Sequence, residues 1–301
     1  MMKRGIWELK PILVAECWEK TGQGTTGVRW VDTNKGSEAE SDVRRRLVAW
    51  DFRQKRDKGR EDLFAETPPL EAIRMQLSKA VTRRMRGSKR GCRKIMFIDA
   101  KKALLNPRCE EDVNIVLPEE AGHEEGMCGK LRHWLYGFRR AAQAWEEFYS
   151  KKFEEEGFER GEGSGVIYYH RGRDVSCVCH GDDFTLVGEE WELKRMAKVM
   201  EKWFEIKVRG ILGPEIRDDK MIVILGRTVR WTEEGIEYEA DKKHRKAMME
   251  HFGFEEGVKG ASVNGDKDRK EEEDDEEEME RVEEKKFRGM AARFARPAIP
   301  R

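Results

Sequence analysis

The sequence has no long apolar run. None of its segments approaches the ~18 consecutive apolar residues that a membrane-spanning helix requires. The first 20 residues also lack the apolar segment and small-residue cleavage site of a secretory signal. These absences predict an intracellular protein, cytoplasmic or nuclear, that has no membrane partner. A hydrophobic content of 38% in 301 residues is still enough to build a core.

Cysteine is sparse, and no two cysteines form a CxxC pair. Six cysteines in a chain of this length argue against a disulfide scaffold and against a zinc ribbon. Cys177 and Cys179 are two residues apart in a segment typical of a strand, so their side chains share one face and His180 lies on the other. This spacing favours a pair of buried thiols, with metal ligation as the alternative.

An excess of either charge is also lacking over the whole chain, because 60 basic residues balance 60 acidic ones. The balance is uneven along the sequence. Residues 266 to 286 contain 13 acidic and 6 basic residues, which predicts a solvated or disordered segment. The remaining chain carries a basic surplus of seven. Such a surplus suits a polyanionic partner, although basic residues scattered over the surface would give the same count.

What the sequence does contain is an irregular order of strand and helix patterns. Residues 26–36 and 42–52 read as two strands of a basic hairpin, and an apolar strand ends at Asp99. Helical periodicity marks the segments that begin near Leu70, Arg139 and Glu190. Residues 221–235 read as one strand. No regular alternation of strand and helix is present, so the order predicts an α+β fold and not a doubly wound sheet.

One hairpin carries two adjacent carboxylates at its bend. In SCVCHGDDFTLVG, residues 176 to 188, two apolar strands flank Gly181, Asp182 and Asp183. Glycine and aspartate are common turn residues, so an ordinary turn is one interpretation. The other is a metal site, because hard divalent cations prefer oxygen ligands. That interpretation needs a third acid, and Asp99 at the end of its strand is the candidate.

Several segments together resemble the reverse transcriptase of copia-type retrotransposons. DAKKALLNP (99–107), KLRHWLYGFRRAAQAW (130–145) and HGDD (180–183) are similar to blocks of that family in the same order. RRRLVAWDFRQK, EDLFAETPPLEAIR, EEDVNIVLPEEAG and the pair WFEIKVRGILG and VILGRTV extend the likeness. The resemblance covers residues 27–260, and its colinear order makes coincidence an unsatisfactory explanation.

The resemblance implies a right-hand polymerase, with fingers over residues 27–90 and a palm with the start of a thumb over 91–260. The palm would contain an antiparallel sheet, and the thumb would be incomplete. Residues 1–26 have no clear periodicity and are expected to form a loose lead-in. Residues 261–301 are expected to be a disordered acidic tail with a truncated connection segment, so the chain would be a fragment of a Pol polyprotein.

The resemblance also implies an RNA-directed DNA polymerase that uses Mg²⁺ or Mn²⁺. Asp99 and Asp182 would bridge two ions about 4 Å apart, and Asp183 would be a supporting acid. Gly181 would let the backbone approach the primer end. The partners would be deoxynucleoside triphosphates and an RNA or DNA template-primer, held mainly through phosphates. Arg46 and Lys55 are candidates for the triphosphate, with a solvated hairpin face as the alternative for both.

Five positions depart from the family pattern, and one of them is Gly181, which stands where the family has a valine. Leu104 stands where the family has an aromatic residue that excludes ribonucleotides, which predicts weaker discrimination between sugars. Arg140 and Ala142 replace a glutamine and a proline, so the hydrogen bonds of the nucleotide pocket are in question. His180 replaces a tyrosine beside the acids. These changes support an alternative function, a non-catalytic nucleic-acid-binding remnant, and an unrelated metal-dependent phosphotransfer enzyme is a third possibility.

Overall fold

Strands and helices follow one another irregularly in the structure, which is a computed structural model describing residues 4–8, 10–22, 24–34, 42–51, 63–82, 92–239, 242–251, 253 and 287–288. The α+β architecture predicted from the sequence is confirmed. The chain divides into two compact units, Met1–Glu215 and Ile216–Arg301. None of the described helices is long and apolar enough to cross a membrane.

The first unit contains twelve strands and four α-helices among its described residues. The strands are β1 (Ile12–Leu13), β2 (Thr25–Thr26), β3 (Val28–Asn34), β4 (Val43–Ala49), β5 (Arg93–Ala100), β6 (Asn114–Val116), β7 (Met127–Lys130), β8 (Glu159–Arg160), β9 (Ile167–His170), β10 (Val175–His180), β11 (Asp183–Glu189) and β12 (Ile206–Leu212). The helices are α1 (Val14–Thr21), α2 (Leu70–Val81), α3 (Arg139–Glu155) and α4 (Glu190–Trp203).

A six-stranded sheet in the order β12-β5-β11-β10-β9-β8 forms the centre of this unit. Every neighbouring pair of strands is antiparallel. The central strands β5 and β11 are buried along almost their whole length, apart from their ends. Successive side chains of a strand point to opposite faces, so continuous burial means that both faces of the sheet are covered.

Helices α3 and α4 supply the apolar side chains that cover one face of the sheet. Trp145 and Phe153 of α3 belong to one core cluster with Ile98 of β5 and Phe184 of β11. Phe153 is fully buried and stacks on Tyr168, with 4.8 Å between the ring centroids. Full burial of such a side chain contributes about 1.5–3 kcal/mol, so this cluster fixes α3 beside the strands that carry the acidic residues.

The predicted basic hairpin is confirmed as β3 paired with β4, in a register that places Val28 opposite Ala49. The residues that join these strands, 35–41, lie outside the described residues. The Ala49 amide donates to the Tyr136 carbonyl at 2.7 Å. Gly137 has a φ of +90°, and a Cβ atom there would overlap the carbonyl oxygen of Ala49. Gly137 therefore permits the close approach of the hairpin to the segment that contains Tyr136.

The loose lead-in predicted for residues 1–26 is wrong for the described part of that segment. Strands β1 and β2 join β7 and β6 in a four-stranded sheet of order β1-β7-β6-β2. Helix α1 follows β1 directly, and Ile6, Trp7 and Cys17 are buried. The prediction failed because the segment has little periodicity of its own. Its few apolar residues pack against strands that come from residues 114–130.

The second unit contains a three-stranded sheet, β13 (Met221–Ile224), β14 (Arg227–Trp231) and β15 (Ile236–Tyr238), followed by α5 (Lys242–His251). The prediction of a single strand over residues 221–235 is wrong, because Leu225 and Gly226 form a turn. Both have positive φ, +48° and +77°, which is the pattern of a two-residue type I′ hairpin. The acidic tail predicted over 261–301 lies outside the described residues, apart from Phe287 and Arg288.

Candidate active site

The Gly-Asp-Asp segment is the tip of a tight hairpin between β10 and β11. His180 pairs with Asp183, which leaves Gly181 and Asp182 as a two-residue turn. Gly181 has a φ of +64°, as the first central position of a type II′ turn requires. A Cβ atom at Gly181 would meet no protein atom within 4 Å. The glycine is therefore needed for its backbone conformation and not for close packing within the chain.

Two hydrogen bonds fix the turn to its neighbours. The Asp182 carbonyl accepts from the Ala100 amide at 2.7 Å, directly after Asp99. The Gly181 carbonyl accepts from the Trp145 indole Nε1–H at 2.9 Å. Trp145 itself is buried, with its ring centroid 4.9 Å from that of Phe204. The end of β5 and the core side of α3 therefore hold the acidic turn from two directions.

The structure brings the three predicted acids together. Asp99 lies directly opposite Asp183 on the adjacent antiparallel strand, and Asp182 precedes Asp183 in the turn. Burial raises the pKa of Asp183, the charges of Asp182 and Asp99 raise it further, and Arg209 opposes the shift. The Arg209 guanidinium lies 3.6 Å from the Asp183 carboxylate. The acids therefore experience both desolvation and mutual repulsion.

This donor set suits a hard divalent cation. Clustered carboxylates offer the oxygen ligands that Mg²⁺ requires, and a cation would relieve the repulsion that raises the pKa of Asp183. Within the described residues, the three carboxylates do not offer oxygens that all lie within 4.8 Å of one another. A side-chain rotation would therefore precede any ligation of one ion by all three.

Asp99 and Asp182 line a cleft of about 720 Å³, called here the first cleft. Its walls also carry six cations, namely Arg4, Arg44, Arg45, Arg46, Lys101 and Lys102. Four of the six are paired with acids in the structure: Arg44 with Asp42, Arg45 with Asp32, and both Arg4 and Lys101 with Glu205. In the part of the chain that the structure describes, no carboxylate pairs with Arg46 or Lys102.

Arg46 of β4 lines the first cleft beside Tyr136. Its guanidinium is 5.5 Å from the ring centroid of Tyr136, a favourable cation–π distance. Burial raises the pKa of Tyr136, and the nearby Arg46 opposes that shift. Lys55, the other residue predicted to bind triphosphate, lies outside the described residues.

A smaller cavity of about 210 Å³ adjoins the acidic turn and is called here the inner cavity. Leu104 lines it together with Gly181 and Asp182. Leu104 belongs to a one-turn 3-10 helix, Ala103–Leu105, that follows β5. Glu146 of α3 lines the cavity as well, and burial raises the pKa of its carboxyl group. The cavity is thus bounded by the turn, by the segment after Asp99 and by α3.

The structure does not bring Arg140 to the acids Asp99, Asp182 and Asp183. Its guanidinium bonds to Glu147 at 2.9 Å and lies 3.9 Å from Glu111, and it lines neither the first cleft nor the inner cavity. Ala142, two residues later in α3, does line the inner cavity. Arg140 is therefore held, half-buried, in the first turn of α3 by its contacts with Glu111 and Glu147.

Some residues of the site did not emerge from the sequence. Lys101 and Lys102 follow Asp99 by two and three residues, so their position was a usable signal. Trp145 belongs to a block that resembles the family, but nothing in its spacing indicates a hydrogen bond to Gly181. Arg4 could not be found, because its segment has no periodicity and reaches the cleft only through tertiary contacts.

Comparison with protein families was consistent with these observations. A family model described as reverse transcriptase (RNA-dependent DNA polymerase) matches residues 19–225, and it confirms the family indicated by the motif blocks. Among solved structures, the chain is similar to telomerase from Candida albicans in complex with a TWJ fragment of telomeric RNA, with 11% sequence identity and a TM-score of 0.46. That match covers 80% of this chain and 48% of the telomerase chain, so this chain spans about half of its length.

Proposed function

Because the chain belongs to the reverse transcriptase (RNA-dependent DNA polymerase) family, we propose that it is the RNA-directed DNA polymerase domain of a copia-type element. It would transfer a nucleotide from a deoxynucleoside triphosphate to the 3′-hydroxyl of a primer. The observation that carries this proposal is the position of Asp99 and Asp182 at the wall of a cation-lined cleft, with Asp183 directly opposite Asp99.

In this proposal the six-stranded sheet is the palm and the β3–β4 hairpin belongs to the fingers. The acids are at the ends of β5 and β11, where the strands open into the first cleft. The hairpin supplies Arg46 to the same cleft. Close contact of Gly137 with Ala49 holds the hairpin against the segment that leads into α3. This arrangement would place a triphosphate between the two subdomains.

The carboxylates of Asp99 and Asp182 would hold Mg²⁺ or Mn²⁺. When bound, such ions lower the pKa of the primer hydroxyl and stabilise the charge of the leaving pyrophosphate. Asp183 would act beside them as a supporting acid, because Arg209 and the neighbouring strand limit its freedom. Trp145 would keep the turn in place through its hydrogen bond to Gly181. Preorganised positioning of this kind is a large part of phosphoryl-transfer catalysis.

Arg46 and Lys102 would bind the phosphates of the incoming nucleotide. Both line the first cleft with the acids, and no carboxylate of the described residues pairs with either. Arginine and lysine both suit phosphate oxygens, arginine through two parallel hydrogen bonds and lysine as a point charge. The sequence of the product would be read by base pairing with the template and not by these cations, because phosphate contacts carry no sequence information.

A second candidate function is nucleic-acid binding without turnover. The specific observation in its favour is Arg140, which is bound to Glu147 and lines neither the first cleft nor the inner cavity. A binding remnant would retain the basic cleft and lose the hydrogen bonds that order the nucleotide. It would also tolerate Leu104 and His180, because binding alone does not need the residues that catalysis requires at these two positions.

Primer extension separates the two functions. Wild-type protein, Asp182→Asn and the exposed-site control Glu124→Gln would be given an oligo(dT) primer on poly(rA) with Mg²⁺ and dTTP. The polymerase proposal expects extension by the wild type and the control, and a loss of at least 100-fold in Asp182→Asn, comparable to other losses of electrostatic stabilisation. Absence of extension by folded wild-type protein that binds the template-primer would instead establish the binding function.

A further inference from the structure

A second basic cleft, of about 500 Å³, lies in the first unit. Three segments that are far apart in sequence form it, residues 4–8, 108–110 and 130–133. It is called here the second cleft. Its cationic side chains are Arg4, Arg108, Lys130 and Arg132, its acids are Glu8 and Glu110, and His133 also lines it.

Backbone hydrogen bonds connect the three segments. The Arg132 amide donates to the Ile6 carbonyl at 2.8 Å, and the Glu8 amide donates to the Lys130 carbonyl at 2.9 Å. The Cys109 amide donates to the Arg132 carbonyl at 2.9 Å. These bonds hold the backbone of the second cleft, so the positions of its cations do not depend on side-chain contacts alone.

Two arginines of the second cleft, Arg108 and Arg132, are available to a ligand. Lys130 is paired with Asp112, and Arg4 with Glu205. Arg108 and Arg132 are exposed, and among the described residues no carboxylate forms an ion pair with either. Two unneutralised guanidinium groups on one ordered wall form a site for phosphate oxygens, because arginine binds them with two parallel hydrogen bonds.

The chemistry and size of the second cleft favour one unpaired strand. No tryptophan, tyrosine or phenylalanine is among its described lining residues, so it lacks a platform for stacking bases. Its volume is on the scale that holds one drug-sized molecule, comparable to one or two nucleotides and much smaller than a duplex. Backbone phosphates are the part of a strand that such a surface can bind.

The second cleft adjoins the first, because Arg4 lines both. A strand that leaves the first cleft would therefore meet Arg4 before it reaches Arg108 and Arg132. We propose that the second cleft binds the sugar-phosphate backbone of the unpaired template strand that extends beyond the catalytic cleft. This inference rests on the proposed polymerase function, since that function supplies the strand.

The experiment measures binding by fluorescence anisotropy at several salt concentrations. One substrate is a DNA primer on an RNA template with an unpaired 5′ extension, and the other is the same duplex with a blunt end. The proteins are wild type, Arg108→Gln/Arg132→Gln, the charge-retaining Arg108→Lys/Arg132→Lys, and Lys198→Gln/Lys202→Gln. The last pair is a matched control, because Lys198 and Lys202 are exposed on α4 and line neither cleft.

Each phosphate contact to a single strand contributes roughly 0.7 to the slope of log K against log salt. The glutamine pair should lower the magnitude of that slope by roughly 1.4 on the extended substrate, and leave the blunt substrate unchanged. The lysine pair and the α4 control should keep the wild-type slope on both substrates. An unchanged slope on the extended substrate, equal losses on both substrates, or no binding by the wild type would overturn the assignment.

Primer extension, measured in parallel, separates this inference from the proposed function. An active polymerase whose slope is unchanged in the glutamine pair overturns the cleft assignment alone. An inactive protein that shows the reduced slope upholds the cleft as a template-strand surface, while the polymerase proposal fails.

Discussion

Asp99 and Asp183 are direct cross-strand neighbours on β5 and β11. Like charges at opposite positions of an antiparallel pair destabilise a sheet, and burial adds a desolvation cost that raises the pKa of Asp183. The middle of both strands is buried and mainly apolar, with Ile95–Ile98 in β5 and Phe184–Val187 in β11. The unfavourable pair is therefore confined to the end of a sheet that is otherwise well packed, which is typical of sites where function opposes stability.

Asp183→Asn should stabilise the metal-free protein at neutral pH. Because the pKa of Asp183 is raised in the folded state, the folded protein holds this proton more tightly than the unfolded chain does. The free energy of unfolding therefore decreases as pH rises from the unfolded pKa, about 3.9, through the folded pKa, and it stays lower above it. An asparagine at position 183 does not ionise, so the variant avoids this decrease in the free energy of unfolding. Arg209 is 39% exposed, so losing its partner costs little.

Thermal unfolding between pH 4 and 8 tests this prediction. Asp183→Asn should melt a few degrees above wild type at pH 7, since about 1 kcal/mol moves Tm by roughly 2–4 °C in a domain of this size. The difference should shrink towards pH 4, because the folded wild-type protein increasingly binds this proton as the pH falls. Glu124→Gln, which removes one exposed acid, should not differ from wild type. A variant that melts below wild type at pH 7 would contradict the argument.

Mg²⁺ should raise the melting temperature of the wild-type protein. A cation that binds the folded arrangement of carboxylates, and not the unfolded chain, stabilises by RT ln(1 + [L]/Kd), about 1.4 kcal/mol at ten times Kd. The double variant Asp99→Asn/Asp182→Asn should lose this increment, because both proposed ligands are removed. Differential scanning fluorimetry with NaCl at matched ionic strength provides the control. An equal increment in the double variant would place the ion elsewhere.

Trp145→Phe should reduce polymerase activity more than it reduces stability. The substitution removes the hydrogen bond from the indole Nε1–H to the Gly181 carbonyl, a net loss of about 1 kcal/mol, and leaves an aromatic ring in the core. Loosening of the turn would misplace Asp182, and small misplacements can cost on the order of 100-fold in rate. We expect kcat to fall at least tenfold, with KM for dTTP nearly unchanged.

A matched control for Trp145 is available in the same core. Trp203→Phe removes an indole whose ring centroid lies 5.4 Å from that of Phe153 and which donates no hydrogen bond to the turn. It should retain kcat, even though it loses some stability in urea unfolding. If both variants lose activity in proportion to stability, Trp145 has only a packing role.

Much of the secondary structure of the first unit could be predicted from the sequence, because apolar runs and helical periodicity are local signals. Apolar runs predicted β5, β10 and β11, and helical periodicity predicted α3 and α4. The same patterns placed Asp99 at a strand end and Asp182 at a bend. Only the family resemblance predicted that Asp99 and Asp182 lie close together, because strand order in a sheet is set by packing between distant segments.

The predictions that failed also have physical causes. Residues 4–8 and 10–22 are ordered by contacts with residues 114–133, so their own sequence carries little information about them. The hairpin at Leu225 was hidden, because leucine rarely adopts positive φ and Gly226 alone resembles a strand irregularity. Arg140 lies in the block expected near the nucleotide, but ion pairs with Glu147 and Glu111 hold its side chain.

Leu104→Phe should increase discrimination against ribonucleotides. Leu104 lines the inner cavity beside Gly181 and Asp182, in the segment that resembles the family block with an aromatic residue. A phenyl ring would occupy part of the 210 Å³ that the leucine leaves open. Steric differences of this size change selectivity by about 1–3 kcal/mol, or roughly 10–200-fold. We therefore expect kcat/KM for dTTP relative to UTP to rise at least tenfold.

Single-nucleotide incorporation on poly(rA) measures kcat/KM for dTTP and kcat/KM for UTP directly. Leu104→Met is the matched control, because methionine has nearly the volume of leucine and should leave the ratio within a factor of about three. If wild-type protein already rejects UTP as strongly as Leu104→Phe does, another group must exclude the 2′-hydroxyl. Glu146 would then be the next residue to test, since its carboxyl group lines the same cavity and its pKa is raised by burial.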